Sequence, residues 1–127
     1  MKIGELARKT GLPIATLRFY EMEGLLESQR SSGNYRNFPE EAVARVERIR
    51  LYRSLDLTLP EIRSMLRLAE TPASSCGQVC DLIGQHLDKV RRQRERLQNL
   101  EMELQRLLAT CPGPSVPGGC QILAELA

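Results

Sequence analysis

The fold class is set by residues 1–26, whose sequence is MKIGELARKTGLPIATLRFYEMEGLL. Apolar side chains recur at helical spacing at the start of this stretch, and the Thr10-Gly11 pair ends that first segment. Pro13 suits the start of a second helix, which runs through Tyr20. Two short helices with so short a connection predict a helix-turn-helix.

The next segment predicts a hairpin and two further helices. Residues 31–34, SSGN, are a dense turn signal, and we expect a small β-hairpin wing around them. A third helix follows over about 39–54, because its apolar residues have helical spacing. Thr58 and Glu61 then have the spacing of a capping box at the start of a fourth helix, 60–68. The N-terminal half therefore predicts a winged helix-turn-helix.

A long helix without internal proline is predicted from about residue 79 to residue 109. Alternating steps of four and three residues from Ile83 to Cys111 meet nine positions, six of them aliphatic, which is a heptad seam with two polar interruptions. An isolated helix of this length, roughly 46 Å, would expose the seam to water. The simplest partner is the same helix of a second chain, so we expect an antiparallel coiled-coil homodimer.

These elements predict a mostly α-helical protein with four parts. They are a winged helix-turn-helix DNA-binding domain (1–70), a linker (71–78), a dimerisation helix (79–109), and a candidate metal-binding loop with a short C-terminal helix (110–127). The length of 127 residues accommodates one domain with an extension, and the low aromatic content of 4% agrees with a helix-rich chain.

Charge and cysteine usage narrow the expected partners and compartment. The net charge is only +2, but most of the positive charge lies in residues 1–67, where DNA phosphates could be met. No apolar run approaches the ~20 residues that span a bilayer, so we expect a cytoplasmic protein. In that reducing compartment the four cysteines are expected to be ligands or sensors rather than structural disulfides.

The four cysteines are Cys76, Cys80, Cys111 and Cys120. Most of the long helix separates Cys76 from Cys111, on the order of 50 Å, so one chain cannot bring both to one ion. In an antiparallel dimer, Cys76 of one chain would meet Cys111 and Cys120 of the other. Three thiolates suit soft ions such as Cd(II), Pb(II) or Hg(II). Zn(II) would want a fourth ligand, which Cys80, one helical turn after Cys76, could supply.

Candidate DNA contacts lie on the second helix and on the hairpin. The second helix of such a motif enters the major groove, where Arg18 could bind guanine edges or phosphate and Tyr20 could donate to phosphate. Hairpin side chains could hold the flanking backbone. The candidates are Thr16, Arg18 and Tyr20 on the helix, and Asn34, Tyr35 and Arg36 on the hairpin.

Several motifs spread along the chain together resemble the MerR family of transcriptional regulators. They are MKIGELA (1–7), TLRFYE (16–21), EGLL (23–26), GNYR (33–36), RSLDLTL (53–59) and EIR (61–63). The cysteine pattern, with Cys76 at the start of the long helix and Cys111 and Cys120 after it, is most similar to the cadmium- and lead-responsive branch, the CadR and PbrR type.

The resemblance implies a homodimer that binds promoter DNA, represses without metal and, with RNA polymerase, activates heavy-metal resistance genes by distorting the DNA when metal binds. It implies DNA roles for Arg18, Tyr20, Tyr35 and Arg36, and metal roles for Cys76, Cys111 and Cys120. Mercury sensors of the family have a similar cysteine spacing, so Hg(II) stays an alternative inducer. Cys80 departs from the branch's usual pattern, which leaves the coordination number open.

Two other classes of function compete with metal sensing. A thiol redox regulator would use a reversible disulfide, either between Cys111 and Cys120 or between Cys76 and Cys80. An enzyme is disfavoured, because the sequence has one histidine, no Gly-rich phosphate loop and no nucleophile beside a recognisable base. The sequence therefore predicts a regulator with no catalytic residues.

Overall fold

The computed structural model describes residues 1–30, 33, 35–111, 113 and 118–127. These residues form six α-helices and one two-stranded antiparallel sheet. They divide into two compact units, residues 1–82 and residues 83–127, and the longest helix runs through both. The predicted mostly α-helical class is confirmed, whereas the predicted domain limits stay a prediction.

The first unit contains the predicted helices and hairpin in the predicted order. Its elements are α1 (Ile3–Thr10), α2 (Ile14–Met22), β1 (Gln29–Arg30), β2 (Arg36–Asn37), α3 (Glu41–Ser54) and α4 (Leu59–Leu68). Gly11 ends α1 in the left-handed region, at φ 72°, and its N–H donates to the Ala7 carbonyl at 2.8 Å. Pro13 lies in extended backbone one residue before α2. This bend and the extended proline place α1 and α2 as the two helices of a helix-turn-helix.

The two strands form the predicted hairpin. Gln29 lies opposite Asn37, and Arg30 lies opposite Arg36. The predicted turn falls partly outside the described residues, since 31, 32 and 34 are not among them. Beyond β2, the Phe38 N–H donates to the Met1 carbonyl at 2.7 Å, which fastens the hairpin beside the start of α1.

One hydrophobic core holds the first unit together. Its buried side chains come from α1 to α4 and the segments between them: Leu6, Leu17, Tyr20, Leu25, Leu26, Phe38, Ala42, Val46, Ile49, Tyr52, Leu57, Ile62 and Leu66. The predicted capping box is confirmed, because the Glu61 N–H donates to Thr58 Oγ1 at 3.3 Å and the Thr58 N–H donates to Glu61 Oε1 at 3.0 Å. At the C-terminal end of α1, Arg50 Nη2 donates to the Thr10 carbonyl at 2.7 Å.

The long helix, α5 (Cys76–Ala109), begins three residues before its predicted start at 79 and ends where predicted. Ser75 explains the earlier start, because its carbonyl accepts the Val79 N–H at 2.9 Å. The buried Ser75 hydroxyl also donates to the Leu68 carbonyl at 2.8 Å, which fixes this residue behind α4. Gly77, in the first turn, has a low helix propensity, so the sequence pattern placed the start of this helix too late. A continuous helix of these 34 residues is about 51 Å long.

In the second unit, the predicted heptad seam of α5 is exposed to solvent. Its six aliphatic side chains are between 38% and 69% exposed: Ile83, Leu87, Val90, Leu97, Leu104 and Leu108. The predicted C-terminal helix is present as α6 (Gln121–Leu126), and Arg106 Nη1 bonds Glu125 Oε2 at 3.1 Å. Across the described part of the chain, no helix is long and apolar enough to cross a membrane.

Candidate DNA-binding surface and metal site

The exposed face of α2 carries Arg18, the predicted base or phosphate contact. Leu17 and Tyr20 turn towards the core, which leaves Arg18 and Phe19 on the opposite, exposed side. Arg18 makes no hydrogen bond or ion pair with any other described residue, so its guanidinium is available to a ligand. Such a group binds phosphate or the O6 and N7 atoms of guanine.

The other two predicted contacts on α2 are less accessible than Arg18. Thr16 is half-buried near the start of the helix. Tyr20 is only 8% exposed and belongs to the core, where its ring lies 6.2 Å from that of Phe19. Packing therefore accounts for the Tyr20 ring, and the predicted contact between its hydroxyl and phosphate stays a prediction.

The hairpin presents Tyr35 and Arg36 beside basic side chains. Tyr35 is 64% exposed, and Lys2 Nζ lies 5.0 Å from the centre of its ring, within the range of a cation–π contact. Arg36 is exposed at the start of β2, and Asn34, the third predicted hairpin residue, lies outside the described residues. The structure thus adds Lys2 to the predicted surface. Spacing could not have indicated it, since the contact joins the N-terminus to the hairpin.

A carboxylate that the sequence reasoning missed ties the hairpin to α2. Glu21 Oε1 accepts from Arg36 Nη1 at 2.5 Å, and Glu21 Oε2 accepts from the Ser28 hydroxyl. The Glu21 side chain is 15% exposed, so this ion pair is partly shielded from water. The bond holds the Arg36 guanidinium in place and offsets part of its charge. Glu21 therefore positions the hairpin relative to the helix that carries Arg18.

A second carboxylate acts in the same way between α2 and α4. Arg63 Nε donates to the Glu23 carbonyl, and Arg63 Nη2 donates to Glu23 Oε2, both at 2.9 Å. Glu23 immediately follows α2, and Gly24 after it has a positive φ of 74° that lets the chain turn. Arg63 therefore links α4 to the end of α2, and its guanidinium is paired with Glu23 within the protein.

Cys76 and Cys80 lie together in the first turns of α5. They are four residues apart on one helix face, and both are exposed free thiols. The nearby Cys76 thiolate raises the pKa of the Cys80 thiol, and the hydrogen bond with Cys76, loss of hydration and Asp81 act in the same direction. The predicted shared face of these two cysteines is confirmed.

Cys111 and Cys120 flank the loop between α5 and α6. Cys111 follows the last turn of α5, and its Sγ donates to the Gly113 carbonyl at 3.9 Å. Cys120 is exposed and lies immediately before α6. Residues 112 and 114–117 of the loop are outside the described part of the chain. Both cysteines are free and exposed, so each side chain is available as a metal ligand.

Within one chain, the described residues contain no group of three or more His, Cys, Asp or Glu side chains that could hold a metal. The predicted three-cysteine site drew its ligands from two subunits, so that site stays a prediction. The donors themselves suit a soft ion, because all four cysteines are reduced, exposed thiols.

A winged helix-turn-helix followed by a long helix with exposed thiols near both ends has the architecture of a DNA-binding regulator. Two family models match the chain, "MerR HTH family regulatory protein" over residues 1–69 and "MerR, DNA binding" over residues 43–107. The chain belongs to the MerR family of transcriptional regulators.

Known proteins with similar sequence or structure include metal-bound regulators. PbrR691 from Ralstonia metallidurans CH34, solved in complex with lead(II), is 42% identical with a TM-score of 0.90, covering 100% of this chain and 99% of that one. MerR from Bacillus megaterium MB1, solved with mercury(II), is 28% identical with a TM-score of 0.71 over 99% of this chain and 98% of the other. The ZntR homolog of Haemophilus influenzae is 35% identical, covering 82% of this chain and 78% of that protein.

These similarities confirm the predicted class of function. The chain is a metal-responsive, DNA-binding transcriptional regulator rather than an enzyme. The two metal-bound structures hold different soft ions, lead(II) in one and mercury(II) in the other.

Proposed function

We propose that this chain is a homodimeric regulator of promoter DNA that activates heavy-metal resistance genes when a soft divalent ion, Cd(II) or Pb(II), binds between its subunits. Each site consists of Cys76 from one subunit and Cys111 and Cys120 from the other. Without metal the dimer represses, and with metal it distorts the promoter so that RNA polymerase can start transcription. Thr16, Arg18, Tyr20, Asn34, Tyr35 and Arg36 are the DNA contacts.

The observation that carries this proposal is the exposed heptad seam of α5. Six aliphatic side chains along the helix, from Ile83 to Leu108, are exposed to solvent. An exposed apolar stripe of this length on a single helix is stabilised when a second helix covers it. Since the seam extends along most of α5, the same seam of a second chain is a partner of matching length.

The direction of pairing decides where the thiols meet. In an antiparallel pair, the start of one α5 lies beside the end of the other. Cys76, the first residue of α5, then comes near Cys111 and Cys120, which follow the end of the partner helix. Two-fold symmetry produces two such sites in each dimer.

The choice of ion follows from ligand chemistry and from the similar lead-bound structure. Thiolates favour soft ions over Mg(II) or Ca(II), which want oxygen ligands. The regulator PbrR691, 42% identical to this chain, was solved with lead(II). Hg(II) is the alternative because the 28% identical MerR structure holds mercury(II). Titrating the reduced, metal-free protein with Cd(II), Pb(II), Hg(II) and Zn(II) and following thiolate-to-metal absorption ranks these ions.

A subunit-mixing experiment tests the site between subunits. Cys76→Ser and Cys111→Ser proteins are each expected to bind metal much more weakly than the wild type, because every site in either dimer lacks one ligand. When the two are unfolded, mixed equally and refolded, each heterodimer regains one intact site, made of Cys76 from one subunit and Cys111 and Cys120 from the other. Half of the dimers are mixed, so about a quarter of the wild-type capacity returns.

The same experiment can overturn the proposal. Ligands that all came from one subunit would leave the mixture as inactive as the separate variants. Separate Cys76→Ser protein that binds Cd(II) as tightly as the wild type would remove Cys76 from the site. Refolded wild-type protein is the control for recovery of the dimer.

Redox sensing is the second candidate function, and the placement of two exposed free thiols, Cys76 and Cys80, one turn apart on α5 favours it. A reversible disulfide would form between two such thiols by loss of two protons and two electrons to a peroxide or disulfide oxidant. Mass spectrometry after peroxide treatment would then show a loss of two hydrogens that dithiothreitol reverses. If DNA binding responds to that oxidation but not to any metal, redox sensing replaces the metal proposal.

A further inference from the structure

We propose that Cys80 is a fourth thiolate ligand, which completes a tetrahedral site together with Cys76 of the same subunit and Cys111 and Cys120 of the other. The inference rests on the proposed inter-subunit site. It adds a ligand to that site and predicts a preference for ions that take four ligands.

The position of Cys80 on the helix supplies the geometry. Cys76 and Cys80 are separated by one turn of α5 and lie on the same exposed face. In a tetrahedral zinc site with bonds of about 2.3 Å, neighbouring sulfur atoms are roughly 3.8 Å apart. Side chains four residues apart on a helix have Cβ atoms about 5–6 Å apart, so rotation of the two side chains can bring their sulfur atoms to the separation that one ion requires.

The surroundings of the pair also permit a bound ion. Both thiols are exposed and in no disulfide, so an ion reaches them without opening the core. Both belong to a helix that is already formed, so chelation by this turn requires only side-chain rotation.

The fourth donor changes which ions fit. Zn(II) in structural sites takes four ligands in a tetrahedron, and Cd(II) accepts the same arrangement. Pb(II) has a lone pair that occupies one side of its coordination sphere, so three thiolates are enough for it. A site with Cys80 should thus favour Cd(II) and Zn(II) relative to Pb(II), and a site without it should favour Pb(II).

X-ray absorption at the cadmium edge tests the ligand count directly. We expect about four sulfur neighbours per Cd(II) in the wild-type dimer and about three, plus one oxygen, in Cys80→Ser. The ratio of Cd(II) to Pb(II) affinity should fall on the order of tenfold or more, because even outer-shell changes cost about that much. Asp81→Ser is the matched control, since it alters an exposed neighbour on the same turn and should keep four sulfur neighbours.

The outcomes separate this inference from the function on which it rests. Three sulfur neighbours in the wild type, or an unchanged count in Cys80→Ser, would overturn the role of Cys80. The proposed function would survive that result if Cys76→Ser still lost metal binding and the subunit mixture recovered it. Wild-type metal binding by Cys76→Ser would instead overturn both. Far-ultraviolet circular dichroism checks that each variant keeps its helices.

Discussion

The two units of this molecule differ in how far their apolar side chains are buried. Among the described residues, every fully buried apolar side chain except Leu107 lies in residues 1–82. In residues 83–127, the aliphatic side chains of the seam are instead exposed to solvent. The first unit is stabilised within a single chain, whereas in the proposed dimer the seam of the second unit is covered by a second chain. The difference separates folding from assembly, so a variant can damage either one alone.

The same contrast extends to charge. In the first unit, arginines such as Arg50 and Arg63 are hydrogen-bonded to backbone carbonyls of other elements. In the second unit, the recorded ion pairs among described residues include Arg106 with Glu103 and Glu125, all at the surface. Surface pairs contribute little to stability. In the proposed dimer, the seam rather than these pairs therefore supplies most of the free energy of association.

The largest expected effect comes from the core of the first unit. Phe38→Ala removes a ring that is 1% exposed and should lower the free energy of unfolding by about 3–5 kcal/mol. Urea unfolding followed by circular dichroism measures the change. Because Phe38 lies far in sequence from the seam, the dimer dissociation constant of the folded variant should stay close to that of the wild type.

The second-largest effect is expected from a change in the seam of the second unit. Leu97→Glu places a charge in the middle of the seam and should raise the dimer dissociation constant on the order of 100-fold, about 2.7 kcal/mol. Analytical ultracentrifugation measures it. The Leu97 side chain is mostly exposed in one chain, so the first unit should keep its fold.

Asn99→Glu is the matched control for that variant. Asn99 is exposed and lies about 200° around the helix from Leu97, on the face away from the seam. It should leave the dimer intact. If Leu97→Glu and Asn99→Glu dissociated equally, or neither did, the seam would not be the dimer interface.

Local patterns in the sequence predicted most elements of the fold. The capping box at Thr58 and Glu61 and the glycine after α1 are local signals, and the structure has both. The start of α5 was missed because the hydroxyl that fixes it, on Ser75, bonds the Leu68 carbonyl across a loop. Such a bond depends on how α4 and α5 are placed, which no short-range pattern contains.

The candidate site was predictable to the same extent. Cys76 and Cys80 share a face because helical periodicity brings residues four apart together, and this could be read from the sequence. Glu21 could not, since its bond to Arg36 crosses fifteen residues and depends on the hairpin folding back on α2. The predicted metal ligands from two subunits await the mixing experiment, because one chain does not contain the whole site.

The smallest expected effect concerns Glu21, which acts on DNA through the hairpin without touching it. Glu21→Ala removes the bonds to Arg36 and Ser28, so the hairpin should lose its fixed position beside α2. Affinity for a duplex selected in vitro with wild-type protein should fall about fivefold, near 1 kcal/mol. Affinity for a scrambled duplex should hold or rise, because the freed Arg36 can meet phosphate and one negative charge is gone.

Fluorescence anisotropy with both duplexes measures this ratio, and two variants calibrate it. Glu21→Gln keeps an oxygen that can accept from Arg36, so its loss of discrimination should be intermediate. Among the described residues, the exposed Glu47 carboxylate pairs only with Arg50 of its own helix. Glu47→Ala should therefore not change the ratio of the two affinities. Arg18→Ala, which removes a proposed direct contact, should weaken the selected duplex more than Glu21→Ala does. Equal loss on both duplexes in Glu21→Ala would mean that Glu21 supports the fold of the first unit and not the placement of its hairpin.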